Sequence, residues 1–481
     1  MEKQSELAQE GNASFRGRFK WSRFVVGGCL MVVLLAIVLP RRATRSTSLA
    51  AGTNALPRAY VAERPTDFPG SLNNPPSARS PQEIVADKVR QFARDRRRIA
   101  HAMAKRFRVD LPVEVDQFFE AVGAGRWAEH NALFERIKAL RDNGQNEGLR
   151  NVFAPILEAQ LVAECAHGWP AQKLLDYGNS ILGSLQPGMI YVGGTDPGRG
   201  IPTLLNETSE GERHMVITQN GLADATYLQY VSFLYGDQLA ALTPDETQRA
   251  FSDYLADAQR RLLHDQQFPD EPKQVRPGED IQFIEGAESG SRSSDGKRVQ
   301  VSGQVAVMAI NERLLQAIMD KNPDLSFALE ESFPLRSTYA NAVPLGPIME
   351  LRAQDAQAAF TPERADRAVD YWESMTQQMV SDPETPAGSD PRKTYSHMAW
   401  SEGNLLADHN FTDQAEQAYR LAMQLEPGNP EAVFALSQLL AKNGRADEAR
   451  QLIDQFQRSH PDLRPTSVPW VFIAPEPATH P

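Results

Sequence analysis

Residues 24–39 read FVVGGCLMVVLLAIVL, an apolar run with no charge and no strongly polar group. Wound as a helix it spans roughly 25 Å, slightly short of a bilayer core. Trp21 and the flanking arginines suit the two interfaces. A cleaved signal peptide is the rival reading, supported by the basic start and by Ser48, Ala50 and Ala51 downstream. Pro40-Arg41-Arg42 ends the run in charge rather than at a cleavage site, so the pattern predicts an uncleaved membrane helix over 24–40. A slight excess of positive charge on its N-terminal side places the bulk of the chain outside the cytoplasm.

A tether over 41–79, rich in Ser, Thr, Asn, Ala and Pro, leads to Ser80-Pro81-Gln82-Glu83. That tetrapeptide is a capping box with proline at the first helical position. The helix it opens is apolar on one side (Val85, Val89, Phe92, Ile99, Met103) and basic on the other (Arg90, Arg94, Arg96, Arg97, Arg98, Lys105, Arg106). The basic side suits either lipid headgroups or acidic neighbours within the fold. Helical spacing continues through 115–122, 127–141, 149–165 and 171–185, defining a helical domain over 80–185. Gly125-Arg126-Trp127 breaks two of these helices into a hairpin carrying His130 at a close-packing position.

The period then shortens. Met189-Ile190-Tyr191-Val192 reads as a buried strand, followed by a Gly-rich turn and a helix over 201–206. A second strand at 214–218 is followed by Asn220-Gly221 and a helix over 227–234. Strand, turn, helix, repeated, predicts a small parallel sheet within an α/β domain over 186–352. A helix over 244–263, strands at 281–284 and 299–301, a helix over 305–320, and extended segments at 326–330 and 348–351 complete it.

Near the C-terminus the pattern repeats. Pro427 and Pro461 are 34 residues apart, as are Ala415 and Ala449. Gly403, Ala415, Tyr419, Ala422 and Pro427 in the first copy, and Leu436, Gly444, Ala449 and Pro461 in the second, resemble the small, aromatic and terminating positions of the tetratricopeptide repeat. Glu402 and Asn410 depart from it, standing where Leu and Gly are usual, and Ser437 replaces a Gly. The resemblance implies α-helical hairpins over 361–465, with a helix over 363–380 as cap or degenerate third repeat. A Pro-rich tail, 466–481, follows. It also implies a concave groove for another protein or peptide, lined here by His397, Trp400, Asn404 and Asp408, then Glu431, Phe434, Gln438 and Lys442. Trp400, Asn404, Phe434, Gln438 and Lys442 are the expected partner-binding residues. The alternative is that these helices dock on the α/β domain.

Charge and cysteine content narrow the chemistry. The net charge is −12, with the basic residues of the first segment set against a more acidic body, which argues against nucleic acid as a partner. Two cysteines and nine scattered histidines offer no metal-ligand spacing, no His-Glu-x-x-His and no nucleophile motif. Neither a catalytic residue nor a cofactor is therefore assigned. Gly193-Gly194-Thr195-Asp196-Pro197-Gly198-Arg199-Gly200 follows a strand and precedes a helix, where α/β folds bind ligands. Arg199 and Gly200 stand where a phosphate-binding loop needs lysine and a hydroxyl, so nucleotide hydrolysis is not expected. A sugar or anion held by Thr195, Asp196 and Arg199, with Asn220 and Asp224 across the crevice, is one reading. A helix cap and tight turn is the other.

The stretches MIYVGGTDPGRGIPTLL, HMVITQNGLADATY, FALEESFPL and PLGPIMEL are similar to the soluble C-terminal region of bacterial mannosyltransferase-like membrane proteins. That resemblance implies an accessory α/β domain near envelope sugar chemistry, without an activity. The sequence as a whole predicts a multidomain fold: basic tail (1–23), N-terminal transmembrane helix, linker, helical domain, small α/β domain and C-terminal repeat hairpins. Its expected role is a membrane-anchored interaction scaffold or assembly factor. A sugar- or phosphate-binding accessory domain is the alternative.

Overall fold

The computed structural model describes residues 79–461 apart from 145, 277, 285–297, 331–340 and 353–359. The capping box forms as its sequence requires. The Ser80 hydroxyl accepts from the Glu83 N–H at 3.3 Å and the Glu83 carboxylate accepts from the Ser80 N–H at 2.8 Å, opening α1 (Pro81–Phe107). Helix α1 buries Val85, Val89, Phe92 and Met103. It packs on α2 (Val113–Gly123) and α4 (Phe153–Gly168). Between these two, α3 (Trp127–Asp142) makes the predicted hairpin with α2, turning at Gly125 with φ 68°. Part of the basic side of α1 pairs with acids, on the helix itself and on α2. Arg90 pairs with Asp87, Arg98 with Asp95, and Arg97 with both Asp116 and Glu120.

Arg96 behaves differently. It is 1% exposed, with Nε 2.7 Å from the Glu158 carboxylate of α4 and its guanidinium 4.4 Å from the Phe92 ring centre. Helix α5 (Ala171–Ser184) then leads into the sheet.

The chain runs through β1 (Ile190–Gly193), α6 (Asp196–Glu207), β2 (Val216–Thr218) and α7 (Ala225–Tyr235). Next come α8 (Pro244–Gln267), β3 (Asp280–Ile284), β4 (Arg298–Ser302), α9 (Gln304–Lys321) and β5 (Phe327–Leu329). A tight pair, β6 (Val343–Leu345) and β7 (Ile348–Leu351), closes the region. The main sheet has the order β2-β1-β5-β7-β6, and β3 with β4 forms a separate antiparallel hairpin. Strands β2, β1 and β5 are parallel, as expected, but β7 and β6 add an antiparallel edge. The reversal between β6 and β7 is local. Leu345 pairs with Ile348 across a two-residue turn whose Gly346 has φ 64°, and so short a connection can only reverse the chain. Pro344 in β6 obscured that strand in the sequence, yet an edge strand tolerates proline.

Helix α10 (Pro362–Ser381) precedes two hairpins, α11 (Asp390–Asp408) with α12 (Thr412–Leu425) and α13 (Pro430–Lys442) with α14 (Ala446–Ser459). Asn410 and Gly444 occupy equivalent turns with φ 64° and 80°, so Asn410 fills the left-handed position that Gly usually takes. One continuous buried cluster runs from Val85 on α1 through the sheet to Ala449 on α14.

The expected fold class needs correction at its N-terminal end. Among the described residues no helix is long and apolar enough to cross a membrane. Residues 24–40, to which the apolar run assigned a span, lie outside the described residues, as do the tail and most of the linker. The fold is mostly helical, with tetratricopeptide hairpins at its C-terminal end, and a single-pass membrane architecture with an extracytoplasmic body is not supported.

Candidate functional site

The sheet dictates where a ligand crevice should open. From β1 the chain passes through α6 to β2 on one side, then returns to β5 on the other. The parallel strands therefore diverge at the C-terminal ends of β1 and β5, the position where open α/β sheets bind ligands. Gly194 and Thr195 follow β1, and Glu330 follows β5.

Glu330 fills that fork. Its carboxylate, 1% exposed, accepts from the Gly194 N–H at 3.0 Å, the Thr195 N–H at 3.1 Å and the Thr195 hydroxyl at 2.9 Å. The Tyr177 hydroxyl of α5 donates a fourth bond at 2.5 Å. Burial beside this carboxylate pushes the Tyr177 phenol well above its ordinary range, so it remains a donor. The Thr195 hydroxyl also caps α6, accepting from the Gly198 N–H at 3.0 Å. Gly198 is obligatory here, because a Cβ would lie 1.6 Å from a Glu330 oxygen. The loop 193–200 is thus an anion cradle at a helix N-terminus, and its anion belongs to the protein itself.

A second device shapes the same helix. Pro202 lacks the N–H that would bond the Gly198 carbonyl four residues back. The buried Tyr191 hydroxyl donates to that carbonyl at 2.5 Å and satisfies it from the strand.

The five residues proposed for a ligand divide accordingly. Thr195 binds Glu330, and Asn220 donates from Nδ2 to the Gly194 carbonyl at 2.5 Å, so these two meet at the loop. Asp224 caps α7 instead, accepting from the Thr226 N–H and hydroxyl at 2.8 and 2.7 Å. Asp196 begins α6, half-buried. Arg199 is half-buried, with Nε enclosed and without a hydrogen-bond partner. Glu164 of α4 lies within reach of both charges, and burial raises its carboxyl above the ordinary value. The Cys165 thiol is likewise pushed well up by burial, which suits a packed side chain rather than a nucleophile.

The repeats place their expected groove residues unevenly. Trp400 and Phe434 are each 6% exposed, so neither lies open in a groove. Helix α11 packs against β6, β7 and the neighbouring repeat helices, and Trp400 is buried on it. Tyr395 of the same helix meets the Tyr177 ring edge-on at 5.5 Å. Phe434 packs edge-on against Phe456 of α14. Asn404 is half-buried and accepts from the Tyr419 hydroxyl at 2.8 Å. Gln438 and Lys442 are exposed on α13. A cavity of about 140 Å³ lies at one end of this strip, lined by Lys393, His397, Glu426, Gly428, Asn429 and Pro430. Close helix approach follows the repeat pattern, since a Cβ on Gly403 would lie 2.5 Å from the Tyr419 ring.

Sequence reasoning missed Glu330 and Tyr177. The available signal was a carboxylate directly after the short apolar strand 327–329, where parallel sheets gather functional groups. Among the described residues no cluster of His, Cys, Asp or Glu is arranged to hold a metal ion.

Residues 406–465 match the tetratricopeptide repeat family model. No curated protein and no solved structure matches the chain. The central resemblance to mannosyltransferase-like proteins therefore gains no support from these comparisons. Tetratricopeptide repeats generally mediate binding to other proteins, and the match points to a protein–protein interaction role for this chain.

Proposed function

We propose that this protein is an interaction scaffold that engages a protein or peptide partner along the exposed strip of its second repeat, through Gln438 and Lys442 with Asn404 at the strip's edge. The observation that carries this reading is the placement of Gln438 and Lys442 at solvent within the segment that matches the repeat family. Trp400 and Phe434 then serve as packing that holds α11 and α13 in register, rather than as anchors for the partner. No specific observation favours the sugar or phosphate reading, because Glu330 takes the place that such an anion would occupy.

Site-specific photo-crosslinking tests the proposal on the full chain. A crosslinker at Gln438 or Lys442 is expected to trap a partner that the same group at Gln455, on the outer face of α14, does not. Lys442→Glu should abolish capture from position 438. Equal capture from positions 438 and 455, or none from either strip position, overturns the reading.

A further inference from the structure

Glu402 lies on α11 at the position where the repeat pattern has leucine. It is 2% exposed, and its Oε1 has no hydrogen-bond partner. Helix α11 is enclosed by α10, α12, α13, β6 and β7. Among the described residues, the charge that acts on Glu402 is Arg364, in the first turn of α10. The Arg364 guanidinium is committed elsewhere, donating from Nε and Nη2 to the Pro344 carbonyl of β6 at 3.0 and 2.6 Å. Glu402 therefore sits where α10, α11 and β6 meet, the seam by which the repeats dock on the sheet.

Several other charges on these elements have partners of their own. Asp366 of α10 accepts from Gln414. Glu416 and Arg420 of α12 pair with Arg445 and Glu448 at α14. Glu350 of β7, and Glu431 and Lys442 of α13, are not among the charges acting on the carboxyl.

We propose that Glu402 is a proton-operated catch: its neutral carboxylic acid keeps the first repeat docked on the α/β body, and ionisation loosens that seam. A leucine would close the seam permanently. An unpaired carboxylate cannot stay there, because burying a charge without a partner is strongly unfavourable. Burial pushes the carboxyl from 4.5 up to about 8 while the seam is closed. In a loosened seam the solvated carboxyl returns to its ordinary value. The raised group therefore stabilises the closed form fully below about 4.5, and this contribution is lost as pH rises towards 8. Across that window the opening constant rises about tenfold per pH unit. This inference does not depend on which partner the second repeat binds.

Hydrogen exchange of the full chain between about pH 5.5 and 8 decides it, each rate being divided by its intrinsic value. Wild-type α10 and α11 amides are expected to lose protection about tenfold per pH unit, whereas those of α2 and α3 hold level. Glu402→Gln should flatten the α10–α11 profile, and Glu402→Leu should do so independently if the amide variant folds poorly. A level wild-type profile overturns the proposal, as does the same fall in both variants. A parallel loss throughout the protein also overturns it, since that would place Glu402 in global stability rather than at the seam.

Discussion

A carboxylate buried at 1% exposure survives at residue 330 because four donors converge on it and the positive end of α6 faces it. Removing that anion should reveal the cradle's native preference. Glu330→Ala leaves two backbone N–H groups, a hydroxyl and a phenol without their acceptor. It is expected to lower stability by about 3 kcal/mol. Millimolar inorganic phosphate should then recover part of the loss in a thermal melt of the variant and leave the wild type unchanged. No phosphate effect on the variant would show that the cradle is shaped for Glu330 alone. Loop 193–200 looked like a ligand loop from its glycines and its place after a strand. The occupant could not be read the same way, because it arrives from more than a hundred residues along the chain.

Between elements, the buried Arg96 is the principal polar tie. Its Nε meets Glu158 of α4 at 2.7 Å, and Glu207 of α6 lies 3.7 Å from its Nη1. Tyr230 of α7 donates to the same Glu158 carboxylate at 2.6 Å. Four helices thus share one buried guanidinium. Arg96→Met retains the apolar stem and takes the buried cation from the Glu158 carboxylate, so denaturant unfolding should show a loss of roughly 3–5 kcal/mol. A loss below about 1 kcal/mol would mean that Glu158 finds water instead. In the sequence Arg96 was one of a basic row along α1. Helical spacing identifies the face it occupies, but not that α4 and α6 bring acids to that one position.

At the scale of the molecule, the repeats are built into the body. Tyr395 on Tyr177, Arg364 on the Pro344 carbonyl and the Lys173–Asp382 ion pair all cross from the repeat side to the rest of the chain. A core continuous from α1 to α14 should unfold as one unit. Calorimetry of the full chain is expected to give a single main transition at the pH where the seam is closed. A separate, earlier transition that disappears when 390–461 are deleted would show that the hairpins fold apart from the sheet. The sequence alone determined the capped helix starts at Pro81, Pro244 and Pro362, the β-α-β-α alternation and the 34-residue repeat, because each is set by periodicity and by caps within a few residues. Only the tertiary structure decided that Trp400 and Phe434 are covered, that β6 and β7 turn antiparallel, and that Glu330 occupies the fork of the sheet. A local pattern states which side of an element is apolar. Which neighbour covers that side, and which distant charge meets a vacant row of N–H groups, depends on contacts between residues far apart in the chain.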